Sequence, residues 1–491
     1  MQDAAAPPPA EWLTADIEIA GLTADSRQVQ PGFLFAAWRG AQADGRRFAG
    51  DAARRGAAAI LTDDPGALDL DPADRARVAV FADPAPQRRL ALLAARFFGR
   101  QPATIAAVTG TNGKTSVAHF TRELWAFLGH SAASLGTLGL ITADGRRAGS
   151  LTTPDSVALH RDLAHLAGRG IEHAAIEASS HGLDQCRLDG VAVAAAAFTN
   201  LTRDHLDYHR DMPAYRAAKE RLFTILLSDR GHAVLNADSP EFPRLAELCR
   251  IRGIPVIGYG TADCTQLRLL ARAPHHGGQM LDLDLFGKRH EVALPLVGDF
   301  QAMNALAALG LVVATGSPVE AAAAALARLG PVPGRLQRVG DIGGAAVFVD
   351  YAHTPDALAT VLAALRPHVE RRLVVTFGAG GDRDRGKRPL MGRVAAELAD
   401  RVYVTDDNPR TEPAAAIRRA ILDAAPGAVE IGDRREAIAA AIAGLQAGDV
   451  LVIAGKGHES GQIVGAETFP FDDADVARDA IAAMGPPRSA T

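Results

Sequence analysis

Strand-sized apolar runs recur along almost the whole chain, separated by helical patterns rich in Ala, Arg and Leu, and this alternation limits the fold more than any other feature. The runs are AAAIL (57–61), TIAAVTG (104–110), HAAIEAS (173–179), AVAAAAFTN (192–200), HAVLN (232–236), AAVFVDYA (345–352), RLVVTFGAG (372–380), RVYVTDDN (401–408) and DVLVIAGKG (449–457). Continuous apolar character means burial on both faces, and helical stretches such as 384–400 and 412–424 lie between several of the runs. The pattern predicts an α/β fold with parallel sheets. At 491 residues the chain is too long for one core, so roughly two to four domains are expected. A loop at 97–104 and a Pro- and Gly-bearing stretch at 328–340 are the junctions. They divide the chain into 1–100, 101–334 and 335–491.

Composition narrows the function. A net charge of -5 leaves no basic footprint, so nucleic acid is not an expected partner. Cys186, Cys249 and Cys264 form no CxxC pair and no zinc spacing, which fits a reducing compartment. The first twenty residues lack the basic flank and apolar run of a signal peptide, and no stretch approaches the roughly eighteen apolar residues of a membrane span. A cytoplasmic location is expected.

The first chemistry lies at AVTGTNGKTSVAHF (107–120). After a strand, Gly110-Thr111-Asn112-Gly113-Lys114-Thr115 reads GxxGK[ST], shorter than the usual GxxxxGK[ST]. Its glycines let successive N–H groups face an anion, and the helix that follows adds its positive end. Lys114 would reach outer phosphates and the Thr115 hydroxyl suits Mg²⁺. An ordinary strand–turn–helix with a surface lysine is the competing reading.

Other strand ends carry polar residues. Glu177 closes one apolar run, where a carboxylate either holds Mg²⁺ or is simply a loop acid. NLTRDHLDYH (200–209) brings Asp204, His205, Asp207 and His209, either a site or a polar loop. DMPAYRAAKERLF (211–223) is a helix capped by Asp211, with Ala217, Ala218 and Leu222 interior. On composition alone its Lys219 is a solvated helix lysine. Four further loops, 349–358, 378–391, 406–413 and 455–460, each follow a strand and would line one rim of a sheet.

TGTNGKT, EASSHGL, NLTRDHLDYH, YRAAKERLF, DYAHTPDAL, GAGGDRDRGKRP, DNPR and GKGHE stand here in the order seen in the Mur ligases, and the chain resembles that family over roughly residues 20 to 475. The resemblance extends to TADSRQVQPGFLFAAWRGAQADGRRF (23–48), similar to a uridine-binding segment. It is nearest the branch that adds diaminopimelate. It implies three domains: one for the UDP end of a substrate, a central ATPase with a parallel P-loop-type sheet, and a Rossmann-like C-terminal domain. It further implies that ATP phosphorylates a side-chain carboxylate of UDP-N-acetylmuramoyl-L-alanyl-D-glutamate and that the amino group of meso-2,6-diaminopimelate captures the acyl phosphate. The implied reaction is a step of peptidoglycan precursor synthesis, and a monomer is expected.

Carried over by position, Gly110, Thr111, Asn112, Gly113, Lys114, Thr115 and Ser116 would cradle ATP, with Asn304, Arg335 and Asp350 completing the nucleotide site. Thr115, Glu177 and His205 would serve Mg²⁺, together with Lys219 carried as N6-carboxylysine. The UDP-linked substrate would meet Ala24, Ser26, Ala41, Gln42, Ala43, Thr152, Thr153, Ser179, Gln185 and Arg187, with hydroxyl donors from Thr152 and Thr153 and a fork from Arg187. Diaminopimelate would meet Arg383, Asp407, Asn408, Pro409, Arg410, Gly455 and Glu459. There the arginines suit its second carboxylate, and Glu459 and Asp407 its ammonium. A lysine-adding or folylpolyglutamate synthetase-like ligase is the nearest alternative. A nucleotide-binding switch without ligation is the more distant one.

Overall fold

The computed structural model describes residues 17–40, 43–149, 151–206, 208–275 and 277–484. The chain gathers into two compact units, one formed by residues up to 266 with 307–318, the other by 267–306 and 319 onward.

The first unit holds two sheets. Four parallel strands, Gly21–Thr23, Phe33–Ala37, Ala59–Thr62 and Ala79–Ala82, pair in chain order. Phe35, Ala37 and Ile60 pack one face against Ala49, Ala52 and Ala53. Leu34, Ala36 and Leu61 pack the other against Leu90 and Ala94. Alternate residues thus enter different cores, which is why the run is apolar throughout.

The second sheet of this unit places Thr104–Thr109 between Val193–Phe198 and His173–Glu177, with Leu227–Asn236 and Val256–Gly260 beyond one neighbour and Ala132–Gly136 beyond the other. All six run parallel. Register sets Val108 opposite Glu177, Thr109 opposite Phe198 and Leu135 opposite Ile176, so four strand ends open on the same edge. The helix Lys114–Phe127 then runs back along the sheet.

In the second unit, Ala345–Asp350, Val450–Ala454, Leu373–Phe377, Arg401–Val404 and Val429–Glu430 form a parallel sheet, with Gln337–Ile342 added antiparallel. The loops after Asp350, Phe377, Val404 and Ala454 therefore leave one rim, as the sequence predicts. An antiparallel meander, Leu267–His275, Gly278–Leu285 and Lys288–Leu294, was not expected. Its strands alternate polar and apolar residues, as in LDLDL, and half-buried strands of that kind escape a search for continuous apolar runs.

Two details differ from expectation. The helix Met212–Arg221 is capped by Asp211, whose carboxylate accepts from the Ala214 N–H at 2.8 Å. Tyr215, Ala218, Lys219 and Leu222 form its buried stripe, with Glu220 also buried and Ala217 exposed. That face follows the i, i+3, i+4, i+7 spacing of a helix stripe, which places Ala217 on the far side. The helices expected over 384–400 and 412–424 are Lys387–Leu398 and Ala414–Leu422.

One buried ion pair binds the rim of the second unit. Arg434 donates to both carboxylate oxygens of Asp473 at 2.7 Å, and to the carbonyls of Ala454 at 3.0 Å and Asp406 at 3.4 Å. Both side chains are wholly buried. Asp473→Ala leaves that guanidinium without its counter-charge and should cost about 3–5 kcal/mol. Asp25→Ala, which removes the partner of the exposed Arg27, should cost about 1 kcal/mol or less. Urea unfolding of the two variants measures the contrast.

Candidate active site

The glycine loop is stitched to the neighbouring strand end. Gly110 has φ +151°, and a side chain there would meet Thr199 Oγ1 at 1.9 Å, so only glycine allows the approach. Thr199 Oγ1 donates to the Asn112 carbonyl at 2.6 Å, and the Asn112 N–H donates to Asn200 Oδ1 at 2.9 Å. The Thr111 hydroxyl donates to the Thr202 carbonyl at 3.2 Å. Gly113 precedes the helix in the left-handed conformation, with no side chain capping the helix. Ser116 is buried in its first turn.

Two lysines meet on this loop. Lys114 Nζ donates to the carbonyls of Gly110 at 3.0 Å and Thr111 at 2.8 Å. Lys219 Nζ donates to the same Gly110 carbonyl at 2.7 Å. Lys219 is 2% exposed and lies 4.4 Å over the Tyr215 ring. Burial, with the neighbouring Lys114 charge, holds its amine well below the usual lysine range. It is no solvated helix lysine.

Glu177 is the second centre. Thr115 Oγ1 donates to its Oε2 at 2.9 Å. Thr137, a residue the sequence analysis passed over, donates its N–H to Oε1 at 2.7 Å and its hydroxyl to Oε2 at 3.1 Å. A hydroxyl has one proton, so in the 3.0 Å contact between Thr137 and Thr152 the donor is Thr152. A second chain is built the same way. Thr153 Oγ1 donates to the Glu177 carbonyl at 2.7 Å, so Ser179 Oγ donates to Thr153 across 2.9 Å. Both chains end on Glu177, one at its carboxylate and one at its carbonyl. In this structure Thr152 and Thr153 direct their hydroxyl protons inward, toward Thr137 and the Glu177 carbonyl, rather than outward as expected. An oxygen pair such as Thr115 and Glu177 suits Mg²⁺, which takes few protein ligands and completes its shell with phosphate and water.

Arg187 also differs from expectation. Its fork is turned onto Gln185 Oε1, at 3.1 and 2.6 Å, and its other nitrogen donates to the Thr153 carbonyl at 2.6 Å. Gln185 in turn donates to the Tyr208 hydroxyl at 3.0 Å, which donates to Asp184 at 2.7 Å. His205 adopts φ 55°, and its ring lies 4.9 Å from that of His181 and 6.2 Å from that of Tyr215. His209 is buried beside the same Tyr215 ring, at 5.2 Å. Asp207 lies outside the described residues, as do Ala41 and Gln42. Ala24 and Ala43 are exposed and Ser26 is buried.

The second unit carries the remaining residues. Asn304 is buried and donates to Gln301 at 3.1 Å. The Arg335 guanidinium stacks over the Tyr351 ring at 4.5 Å. Asp350 accepts from the N–H groups of Leu336 at 2.7 Å and Ala352 at 2.8 Å, and burial pushes its carboxyl above the usual range. At the rim, Arg410 sits at φ 51° and gives one nitrogen to the Gly381 carbonyl at 2.9 Å. Asn408 donates to Glu459 Oε2 at 2.8 Å. Asp407 and Pro409 are buried beside them, Gly455 follows the strand Val450–Ala454, and Arg383 is exposed.

A glycine loop carrying two lysines, beside a carboxylate tied to the loop's own threonine, defines a phosphate-handling α/β protein. Family profiles match as the Mur ligase family catalytic domain over residues 18–98, the Mur ligase middle domain over 108–312 and the Mur ligase glutamate ligase domain over 334–457. The chain belongs to the Mur ligase family. It is 52% identical over 475 residues to the UDP-N-acetylmuramoyl-L-alanyl-D-glutamate–2,6-diaminopimelate ligase of Bradyrhizobium diazoefficiens, covering 96% of each chain. The enzyme of the same name from Caulobacter vibrioides is 53% identical over 468 residues, covering 94% of this chain and 95% of the other. A solved structure bearing that name is 35% identical, with a TM-score of 0.70 over 95% of each chain.

Gly136 lies so close to Glu177 that an added Cβ would meet Oε1 at 2.0 Å. Gly136→Ala should push the carboxylate off Thr115 and Thr137, visible as a displaced Glu177 in a crystal structure of the variant.

Proposed function

We propose that the chain is an ATP-dependent ligase that joins meso-2,6-diaminopimelate to UDP-N-acetylmuramoyl-L-alanyl-D-glutamate, the reaction named for its relatives, in peptidoglycan precursor synthesis. The observation that supports this most is the path from Thr152 through Thr137 to Glu177 and Thr115. It joins the loop assigned to the acid with the loop assigned to the triphosphate. A carboxylate resists amines because it is anionic and oxide is a poor leaving group. Its oxygen therefore attacks the terminal phosphorus of ATP and ADP departs. The amine then adds to the acyl carbon, phosphate leaves with that oxygen, and a proton is released.

In this reading the Gly110–Ser116 loop and Lys114 hold the phosphates, and Asn304, Arg335 and Asp350 serve the rest of the nucleotide. Ala24, Ser26, Ala41, Gln42, Ala43, Thr152, Thr153, Ser179, Gln185 and Arg187 serve the UDP-linked acid. Thr152 takes part as an acceptor. Mg²⁺, held by Thr115, Glu177, His205 and the carbamate of Lys219, would neutralise charge on the transferring group. Catalysis by the chain is otherwise positioning and charge neutralisation.

The environment of Lys219 favours the neutral amine, the form that attacks CO₂. A new N–C bond forms, a proton is lost, and the cation is replaced by a carbamate anion. For amino-acid choice, Arg410 keeps an edge of its fork for a second carboxylate, flanked by Arg383, with Glu459, Asp407, Asn408, Pro409 and Gly455 around the ammonium. Free lysine would leave that arginine unpaired, which penalises it strongly. No helix among the described residues is long and apolar enough to cross a membrane, and a cytoplasmic monomer is the setting we propose.

Oxygen-18 placed in the D-glutamyl carboxylate should appear in the phosphate released. In the same assay, diaminopimelate should be joined at least about 100-fold more efficiently than competing lysine. Unlabelled phosphate would overturn the acyl-phosphate route, and equal use of lysine the selectivity.

Lys219→Ala should lower kcat by about 100-fold or more. With ¹³C-bicarbonate, the wild type should show a carbamate resonance that the variant lacks. Because the amine titrates below the ordinary lysine range, that resonance should grow as pH rises through the lowered value, well before free lysine deprotonates.

A further inference from the structure

We propose that Lys456 aims Asn408 and Glu459 at the incoming amino acid, making it a positioning residue for amino-acid recognition; the proposal rests on the functional reading above. Lys456 lies two residues beyond the strand Val450–Ala454 and is wholly buried. A buried ammonium is tolerated only when paired and hydrogen-bonded. Its Nζ donates to Asn408 Oδ1 at 3.0 Å and to Glu459 Oε2 at 3.1 Å. The Asn408 amide closes the triangle by donating to the same Glu459 oxygen at 2.8 Å.

This triangle decides what is left for a ligand. Asn408 Oδ1 also accepts from the Ile463 N–H at 2.9 Å, so both of its lone pairs are taken. Flipping the amide would aim its NH₂ at an ammonium and at a backbone N–H, so the orientation is forced. Asn408 retains one N–H. Glu459 Oε2 is filled by two donors, while among the described residues none is bonded to Oε1. Glu459 is one-third exposed and Lys456 fully enclosed, so a ligand reaches the carboxylate and not the lysine. Lys456 therefore leaves one carboxylate oxygen and one amide N–H in fixed positions, an acceptor and a donor suited to the ammonium and carboxylate of an α-amino acid.

Lys456 is paired with Glu459 and the buried Arg434 with Asp473, and the charges of Asp407 and Glu459 also act on Arg434. Without Lys456, Glu459 loses its buried partner and turns toward solvent.

The test is a double-mutant cycle of Lys456→Met and Glu459→Gln in the full chain, with KM measured separately for diaminopimelate, ATP and the UDP-linked acid. Lys456→Met should raise KM for diaminopimelate about tenfold or more, while kcat and the other two KM values stay within about twofold. The effect of the double variant on that KM should fall well short of the product of the two single effects, because the lysine acts in part through that carboxylate. An unchanged KM for diaminopimelate, a parallel rise in all three, or multiplying effects would overturn the proposal. If Lys456→Met fails to fold, recovery of folding in the double variant supports it. Unfolding of both overturns it, since the lysine then serves only the fold. A wild type that does not use diaminopimelate would instead refute the functional reading.

Discussion

Two lysines donate to one backbone carbonyl, that of Gly110, and the chemistry of the first unit follows from that contact. Two ammonium groups cannot comfortably share an enclosed oxygen, and the conflict is resolved unequally. Lys219, enclosed over the Tyr215 ring beside Lys114, gives up its proton more readily than an ordinary lysine. A single constraint thus places a buried amine with a lowered proton affinity beside a second lysine on the loop. Gly110 makes it possible, because any side chain there would collide with Thr199.

The same economy governs Glu177. Its carboxylate and its carbonyl each end a chain of hydroxyls, and every proton in those chains has a determined direction. Directed chains of this kind resist reorientation, because turning one hydroxyl strands its neighbour. A ligand accepted by Thr152 would pull on Thr137, and Thr137 on the carboxylate beside the glycine loop. The Thr152 loop and the glycine loop are coupled through three hydrogen bonds, from Thr152 to Thr137, from Thr137 to Glu177 and from Thr115 to Glu177.

The rim of the second unit repeats the device with charges in place of hydroxyls. Arg434 and Asp473 join a strand end, a loop and a helix start, and Lys456 joins two loops. The Arg434–Asp473 pair and the Lys456 ammonium are fully buried, so solvent screens these ties little. The many exposed pairs on the helices, such as Arg250 with Glu247, contribute little by comparison. Order at the rim comes from the few enclosed ions.

The sequence by itself determined the parallel α/β plan, the glycine loop ahead of a helix, the strand-end position of Glu177 and the rim on which four polar loops gather. Those features depend on contiguous residues: apolar runs with two buried faces, glycines at a turn, a carboxylate closing a strand. The meander of 267–294 escaped because half-buried strands alternate and present no continuous run. Thr137, the inward protons of Thr152 and Thr153, the turned fork of Arg187 and the enclosed Lys456 were decided only by the tertiary structure. A deciding partner lies 40 residues away for Thr137 with Glu177, 34 for Arg187 with Thr153 and 48 for Lys456 with Asn408. Which way a hydroxyl proton points, or whether a lysine is wet or buried, depends on what folding brings beside it.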